Sequence, residues 1–361
     1  MEHAVILAGG RGERFWPLSR RNRPKQLLPI ISQKTMLEET IDRVAPIFPP
    51  ERMWIVTGEE ISGPVRERCK DRIPEINILA EPSSNNTCLA IGWAAVELLA
   101  RDPEATMVVL SADHAIEPQA TFLKVLNEAI RLAHSEPSLV TIGIGPTRPE
   151  TGYGYIEIGS PYATSKDGIA SYQVEAFREK PDRETAQEYY FDRRHLWNAG
   201  IFVWTAKTLL EALEKYQPET HQLLMTYARA IGTPQQRETL LTLYQNAHCI
   251  SIDHAILELA DNVLVIRADM SWDDVGSWLA LDRLRQTSME NNVIIGNSVE
   301  LDSFDMTVYN DSDDLVCTFG VSDLVVVRTD KVTFVAHKSS IPNIKKLIDH
   351  LKSDERWSEY L

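Results

Sequence analysis

Four short apolar runs punctuate the start of this chain: AVILA at 4–8, MWIVT at 53–57, NILA at 77–80 and MVVLSA at 107–112. Each is too short to be a self-burying helix, and each suits a strand buried on both faces of a sheet. Amphipathic stretches at 36–48, 86–100 and 121–134 separate or follow them. Strand–helix alternation of this kind requires crossover connections, which are right-handed and leave helices on both faces of a mostly parallel sheet. The expected fold class is therefore α/β. Ligands in such folds bind beyond the carboxyl ends of the strands, so the residues just after the runs are where chemistry is expected.

The pattern then changes twice. Strands are expected at 152–158, 172–177, 200–204 and 263–268, with helices at 183–193, 206–231, 234–245 and 277–285. After residue 288 the chain becomes a series of short strands, at 293–295, 298–301, 307–310, 315–319, 324–328 and 332–336, cut by Asn, Asp, Gly and Ser turns. Helical spacing returns only at 344–351. This predicts a domain at 1–287 and a small β-rich one at 288–361 closed by a helix.

The four cysteines, Cys69, Cys88, Cys249 and Cys317, form no C-x-x-C pair. Buried reduced thiols are expected, not disulfides or a zinc site. No apolar run reaches the roughly 18 residues of a membrane span, and the N-terminus lacks a basic leader, so a cytoplasmic location is expected. The formal net charge of −15 argues against nucleic-acid binding. Within that acidic chain, residues 11–25 carry Arg11, Arg14, Arg20, Arg21, Arg23 and Lys25 against the single acid Glu13, a cationic island suited to an anionic substrate.

The first run ends in Gly9-Gly10-Arg11-Gly12-Glu13-Arg14. Glycines there let the backbone N–H groups approach phosphate oxygens, and Arg14 and Lys25 would neutralise a triphosphate; the plainer alternative is an exposed turn with a solvated basic face. Phe15 stands where a dinucleotide fingerprint needs its third glycine, and the P-loop pattern is also absent. Asp113, in Ser111-Ala112-Asp113-His114, follows a core strand and suits Mg²⁺, which takes one or two carboxylates plus substrate phosphates; as a turn cap it would need no ligand. Asp273 and Asp274, in Trp272-Asp273-Asp274-Val275-Gly276-Ser277-Trp278, offer a second acid or a helix cap. Glu179-Lys180-Pro181 offers a hydroxyl acceptor and a phosphate cation, or a solvated ion pair.

Together these segments resemble the mannose-1-phosphate guanylyltransferases. The family's opening segment is matched by residues 7–19 (LAGGRGERFWPLS) and by Pro24-Lys25-Gln26. Further matches are Glu81-Pro82 with Asn86-Thr87, Ser111 to His114, Thr151-Gly152-Tyr153-Gly154-Tyr155-Ile156, Glu179-Lys180-Pro181, Trp197-Asn198-Ala199-Gly200-Ile201-Phe202 and Trp272 to Trp278. The likeness runs from residue 4 to about 280. Two segments depart from the family pattern: Asn85-Asn86-Thr87-Cys88-Leu89-Ala90 stands where Arg-Asn-Thr-Ala-Pro-Ala is usual, and Asp273 replaces a serine.

The resemblance implies a nucleotide-diphospho-sugar transferase fold, a Rossmann-like mixed sheet flanked by helices, followed by a domain resembling a left-handed β-helix. The length is expected to leave no room for the phosphomannose-isomerase module fused in longer relatives. It implies transfer of GMP from GTP to mannose 1-phosphate, with release of pyrophosphate. Mg²⁺, or another divalent cation, would sit on Asp113 and Asp274. Ala8, Gly9, Gly10, Gly12, Arg14 and Lys25 would bind the nucleotide phosphates, and Glu81, Pro82, Asn86 and Thr87 the remainder of the nucleotide. Lys180 would hold the sugar phosphate, and Gly154, Glu179 and Asn198 the sugar. Arg14, Lys25, Asp113, Lys180 and Asp274 are the expected catalytic set. The same chemistry on a heptose or glucose phosphate or with another base, and a silent GDP-mannose-binding subunit, are the alternatives. The sequence leaves oligomeric state open, a homodimer through the β domain being one option.

Overall fold

The structure is a computed structural model, which describes residues 1–10, 12–285 and 287–361. Arg11, part of the cationic island, lies outside the described residues. The chain forms two compact units. One comprises residues 1–9, 41–112 and 116–272, and the other residues 10–40, 113–115 and 273–361.

The strands of the first unit are β1 (Glu2–Leu7), β2 (Met53–Gly58), β3 (Ile78–Glu81), β4 (Thr106–Ser111), β6 (Leu139–Ile144), β7 (Tyr155–Thr164), β8 (Ala170–Arg178), β9 (His195–Thr205) and β10 (Val263–Ala268); the three-residue strands β5 (Ala115–Glu117) and β11 (Ser271–Asp273) complete the series to that point. The nine longer strands form one sheet in the order β3-β2-β1-β4-β9-β6-β10-β8-β7. From β3 through β4 every pair is parallel, as the apolar runs predict. β9 then enters antiparallel to both β4 and β6, and β10 runs parallel to β6. β6 escapes the sequence reading because its run, LVTIGI, is interrupted by a threonine and a glycine. Gly143 there is a packing requirement, since a Cβ would lie 2.7 Å from Leu196 Cδ1.

The helices are α1 (Met36–Val44), α2 (Glu59–Cys69), α3 (Asn86–Leu99), α4 (Gln119–Ser135), α5 (Arg183–Asp192), α6 (Ala206–Tyr216), α7 (Pro218–Ala230), α8 (Gln236–Asn246), α9 (Leu281–Leu284) and α10 (Ile344–Lys352). The single helix expected at 206–231 is two, because Pro218 cannot continue the hydrogen-bond ladder and instead opens α7. The helix expected at 277–285 is a 3-10 turn, Trp278–Ala280, followed by the short α9. Alternate strand residues feed opposite faces. Val5, Val109, Phe202 and Trp204 join Leu89, Trp93, Leu213, Leu224, Tyr227 and Tyr244 from α3, α6, α7 and α8 in one core. α4 packs on β4, β6 and β9, where the buried alternates include Val108 and Val203.

In the second unit, β12 (Val293–Ile295), β14 (Thr307–Asn310), β16 (Leu324–Arg328) and β17 (Thr333–His337) form one sheet, and β13 (Ser298–Leu301) and β15 (Val316–Phe319) another. From β12 to β16 successive strands alternate between sheets, and β12–β14, β13–β15 and β14–β16 pair in parallel. That is the winding of a β-helix. The sharp corners use left-handed backbone at Asn291, Gly296, Asp302, Asp305, Gly320 and Asp323, residues that tolerate it best. Their frequency is what gives this stretch its turn-rich texture.

This β-helix shares its core with residues 10–40. Phe15, Trp16, Leu18, Leu28 and Ile30 are buried with Trp278, Tyr309, Val325, Val327, Phe334, Ile341, Ile344 and Ile348. Cys69 and Cys88 are buried as expected, whereas Cys249 and Cys317 are exposed; all four are free thiols. No helix among the described residues is long and apolar enough to cross a membrane.

Trp278 is the pivot of the second core. It is fully buried, its ring centroid is 5.1 Å from Phe15 and 5.4 Å from Tyr309, and its indole N–H donates to Trp16 O at 3.1 Å. Trp278→Ala should cost about 3–5 kcal/mol. Thermal or urea unfolding checks this; a loss below about 1 kcal/mol would contradict the shared core.

Candidate functional site

The expected site residues fall into three clusters, one in the second unit and two in the first.

The first cluster is built around Lys25. Pro24 ends an extended stretch, and Lys25 begins a 3-10 turn that directs its side chain inward. Its ammonium donates to Asp113 Oδ2 and to the backbone carbonyl of Asp274, each at 2.7 Å. It also lies 5.9 Å from the Phe15 ring centroid, within cation–π range. Two acidic residues far apart in the sequence are thereby tied to one cation. Burial pushes the Asp113 carboxyl up, but the charges of Lys25 and His114 and the Lys25 hydrogen bond outweigh it and hold it below the ordinary carboxylate value.

Gly12 fits against this lysine. Its φ of +65° is left-handed, and a Cβ there would collide with Lys25 Cβ and lie 2.9 Å from Lys25 N, so only glycine satisfies both conditions. Ser19 Oγ donates to Gly12 O at 2.7 Å and fixes the turn. Gly10 has open space where a Cβ would go.

The cationic island is partly internal. Arg23 pairs with Asp311 at 3.0 Å, and Arg20 donates to the carbonyls of Pro17 and Glu359. Arg14 is exposed. Charge counting alone overstates how much of the island is available to an anion.

The two neighbouring acids have separate environments. Asp273 is buried and bound by Arg283 through two bonds of 2.6 and 2.9 Å, and it accepts from Val275 N. This bidentate pair commits Asp273 to structure. Asp274 is half-buried, and Oδ1 accepts from Gly276 N at 3.1 Å. Gly276 allows that close turn, since a Cβ would lie 2.9 Å from Asp274 Oδ2. Among the described residues no three His, Cys, Asp or Glu side chains group as a metal site. Two hard carboxylates, Asp113 ionised, with Asp273 diverted to Arg283, nevertheless fit a cation that takes its other ligands from phosphates.

The second cluster surrounds Glu81, at the end of β3. Its side chain is buried, Tyr244 OH donates to Oε1 at 3.1 Å, and a Cβ on Gly9 would sit 3.5 Å from Oε2. Ala8 is buried, and its carbonyl accepts from Thr57 Oγ1. Burial, only partly opposed by the Tyr244 bond, pushes the Glu81 carboxyl up to about 7. Pro82 is half-buried beside it. Asn85 donates to Tyr244 O at 2.8 Å and ties this loop to α8. Asn86 takes left-handed backbone and accepts from Thr87 N, and Thr87 Oγ1 accepts from Ile252 N at 2.9 Å.

The third cluster gathers Gly154, Glu179, Lys180 and Asn198. Asn198 N donates to Gly154 O at 2.9 Å, and a Cβ on Gly154 would lie 2.5 Å from Glu179 Oε2 and 3.6 Å from Asn198 Cβ. Glycine therefore lets Glu179 and Asn198 share one place. Lys180, exposed and with φ +43°, pairs with Glu179. Beneath them Tyr153 packs edge-on to Trp197 and Trp272 at 5.1 and 5.0 Å, and the Arg148 guanidinium lies 5.0 Å from the Trp197 ring. Sequence reading misses two residues. Tyr244 sits in an ordinary helical pattern. Asp253, which accepts from Asn198 Nδ2 at 2.7 Å, opens a π-helical turn, Asp253–Leu257, that has no periodic signature.

The nucleotidyl transferase family profile matches residues 3–290, and that of the MannoseP isomerase/GMP-like beta-helix domain matches 296–351. The mannose-1-phosphate guanylyltransferase of Klebsiella pneumoniae is 35% identical over 99% of this chain and 75% of its own length. The xanthan biosynthesis protein XanB of Xanthomonas campestris pv. campestris (strain B100) is 34% identical over 98% of this chain and 73% of its own. A crystal structure from Thermus thermophilus, described as a mannose-1-phosphate geranyltransferase, superposes with a TM-score of 0.86 at 33% identity, covering 97% of this chain and 99% of the other. A nucleotidyltransferase sheet, a β-helix after it and these near full-length likenesses put the chain in the mannose-1-phosphate guanylyltransferase family, the enzymes that make GDP-mannose.

Proposed function

We propose that the three clusters divide the guanylyl transfer among phosphate handling, base reading and sugar reading. The observation that carries this reading is the Lys25 ammonium bonded at once to Asp113 and to the Asp274 backbone. All the residues involved precede 288, and we read 288–361 as the segment that supports the phosphate cluster through the core described above.

The reaction needs little acid–base work. A sugar 1-phosphate is mostly dianionic near pH 7, its second pKa being about 6, and its oxygen attacks the α-phosphorus of GTP while pyrophosphate leaves. The obstacle is repulsion between two anions, so positioning and charge stabilisation are the protein's task. Asp113 and Asp274 would hold Mg²⁺ or another divalent cation, which would supply neutralisation of phosphate charge. Lys25 keeps the two acids in register and adds its own positive charge. Arg14, exposed on the same loop, takes the pyrophosphate side, and the N–H groups of Gly9, Gly10 and Gly12 serve as phosphate donors. Lys180 takes the sugar phosphate; Gly154, Glu179 and Asn198 take the sugar.

Glu81 reads guanine. The base offers N1–H and its 2-amino group side by side, and an ionised carboxylate accepts from both. Pro82, Asn86 and Thr87 hold the strand end that presents it.

Asp113→Ala and Asp274→Ala should each lower kcat on the order of 10²–10³-fold in a pyrophosphate-release assay on protein that still melts cooperatively, Asp113→Ala at a lower temperature because the buried Lys25 ammonium loses its carboxylate. Asp273→Ala should lower thermal stability through loss of its ion pair with Arg283, without a comparable fall in kcat. Full activity in the Asp113 variant would remove the assignment.

The Glu81 carboxyl, raised to about 7 by burial, must lose its proton before guanine can donate to it. The KM for GTP should therefore fall about tenfold between pH 6 and pH 8, and Glu81→Gln should abolish that component while raising KM at pH 8. The same carboxyl destabilises the free fold as pH rises: its favourable protonated state is fully present below the unfolded value and lost through about 7. Glu81→Gln should thus be more stable than the parent above pH 7, by up to about 3 kcal/mol, and equal to it near pH 4.5. Identical pH profiles for parent and variant would contradict both statements.

A further inference from the structure

The hydrogen bonds around Asn198 are asymmetric. Its Oδ1 accepts from Gly200 N at 3.0 Å and its Nδ2 donates to Asp253 Oδ1 at 2.7 Å. A flipped carboxamide would set an oxygen against the Asp253 carboxylate and an N–H₂ group against the Gly200 N–H, so only one orientation is compatible with both partners. An amide nitrogen carries two hydrogens. Asp253 takes one, which leaves the other as a donor directed by the geometry of the first bond. Glu179, brought to the same place by the missing side chain of Gly154, supplies acceptors. A donor beside an acceptor is what recognition of a sugar hydroxyl needs, since a hydroxyl both accepts and donates.

Asp253 is itself held firmly. It is half-buried, and its carbonyl accepts from Glu258 N at 2.9 Å in the wide π turn. His254 pairs with Glu258 at 2.8 Å on the next position. The preceding residue, Ile252, donates to Thr87 Oγ1 at 2.9 Å. π turns of this kind often mark functional positions. Burial and then the negative charge of Glu179 raise the Asp253 carboxyl above its ordinary value, and the Asn198 bond opposes that.

We infer that Asp253 is a positioning residue for the sugar: it fixes the Asn198 carboxamide so that one N–H of Asn198 and the Glu179 carboxylate together engage the hydroxyls of mannose 1-phosphate. The inference rests on the sugar-reading role proposed above for Glu179 and Asn198. It adds a residue that lies outside every motif carrying the family likeness, on a segment that also touches the base-reading loop through Thr87.

Steady-state kinetics on the full chain test it. Asp253→Ala should raise the KM for mannose 1-phosphate about tenfold or more while the KM for GTP stays within about twofold. Asp253→Asn, whose carbonyl can still accept from Asn198, should bring the mannose 1-phosphate KM back to within about threefold of the parent. Asp253→Ser, too short to reach Asn198, serves the same purpose if the alanine variant does not fold. An unchanged mannose 1-phosphate KM in Asp253→Ala, or no rescue by Asp253→Asn, overturns the inference. Asn198→Ala and Glu179→Gln separate the two levels. If they raise that KM and Asp253→Ala does not, only the positioning role falls; if none of the three does, the sugar-reading assignment falls with it.

Discussion

The bond between the Lys25 ammonium and two acidic residues far apart in the chain is the constraint on which the proposed phosphate chemistry depends. Asp113 follows a core strand, and Asp274 follows Trp272-Asp273 after the last strand of the same sheet. Neither position has any sequence-local reason to meet the other. Lys25 joins them at 2.7 Å each, and in return the buried ammonium has its desolvation offset by a full carboxylate, a carbonyl dipole and an aromatic face. Removing one partner from such a set leaves the others mismatched, so the cluster behaves as a unit.

That dependence explains features of the chain that look unrelated. Phe15, which breaks the dinucleotide fingerprint, is a core residue beneath Lys25 and against Trp278. Gly12 must be glycine because Lys25 passes too close for a Cβ. Val275 and Trp278, which follow Asp274 in its motif, bury themselves among β-helix side chains. The C-terminal segment thus contributes the floor under the loop that carries the lysine. In the other unit, the proposed base- and sugar-reading clusters use different devices: a buried carboxyl bonded by Tyr244, and an amide whose orientation is set by a second carboxylate.

Much of this was legible in the sequence, for reasons that differ by residue. The parallel half of the sheet was readable because β1 to β4 are buried on both faces and so are continuously apolar. β6 was not, since Thr141 and Gly143 meet neighbours on a crowded sheet and break the run. The β-helix corners were visible through their Asn, Asp and Gly residues, whose left-handed backbone is a local property. Position after a core strand brought out Asp113, strand-end placement brought out Glu179, and the family resemblance brought out Asp274 and Asn198. The residue types alone could not distinguish Asp273 from Asp274, because the difference lies in Arg283, which a turn brings round to bind Asp273 through two bonds. Asp253 and Tyr244 were invisible for the same reason: each acts through a partner more than 50 residues away, and no local pattern encodes that. The cationic island was visible but misleading, as Arg20 and Arg23 satisfy carbonyls and an aspartate within the fold.

The most direct test is the turnover number for pyrophosphate release from GTP and mannose 1-phosphate by Lys25→Met, a chain whose apolar stem still fills the space beside Phe15. The account predicts a fall in kcat on the order of 10²–10³-fold. A Lys25→Met enzyme turning over within about threefold of the parent would show that the phosphates meet without this cation, and the account would be wrong at its centre.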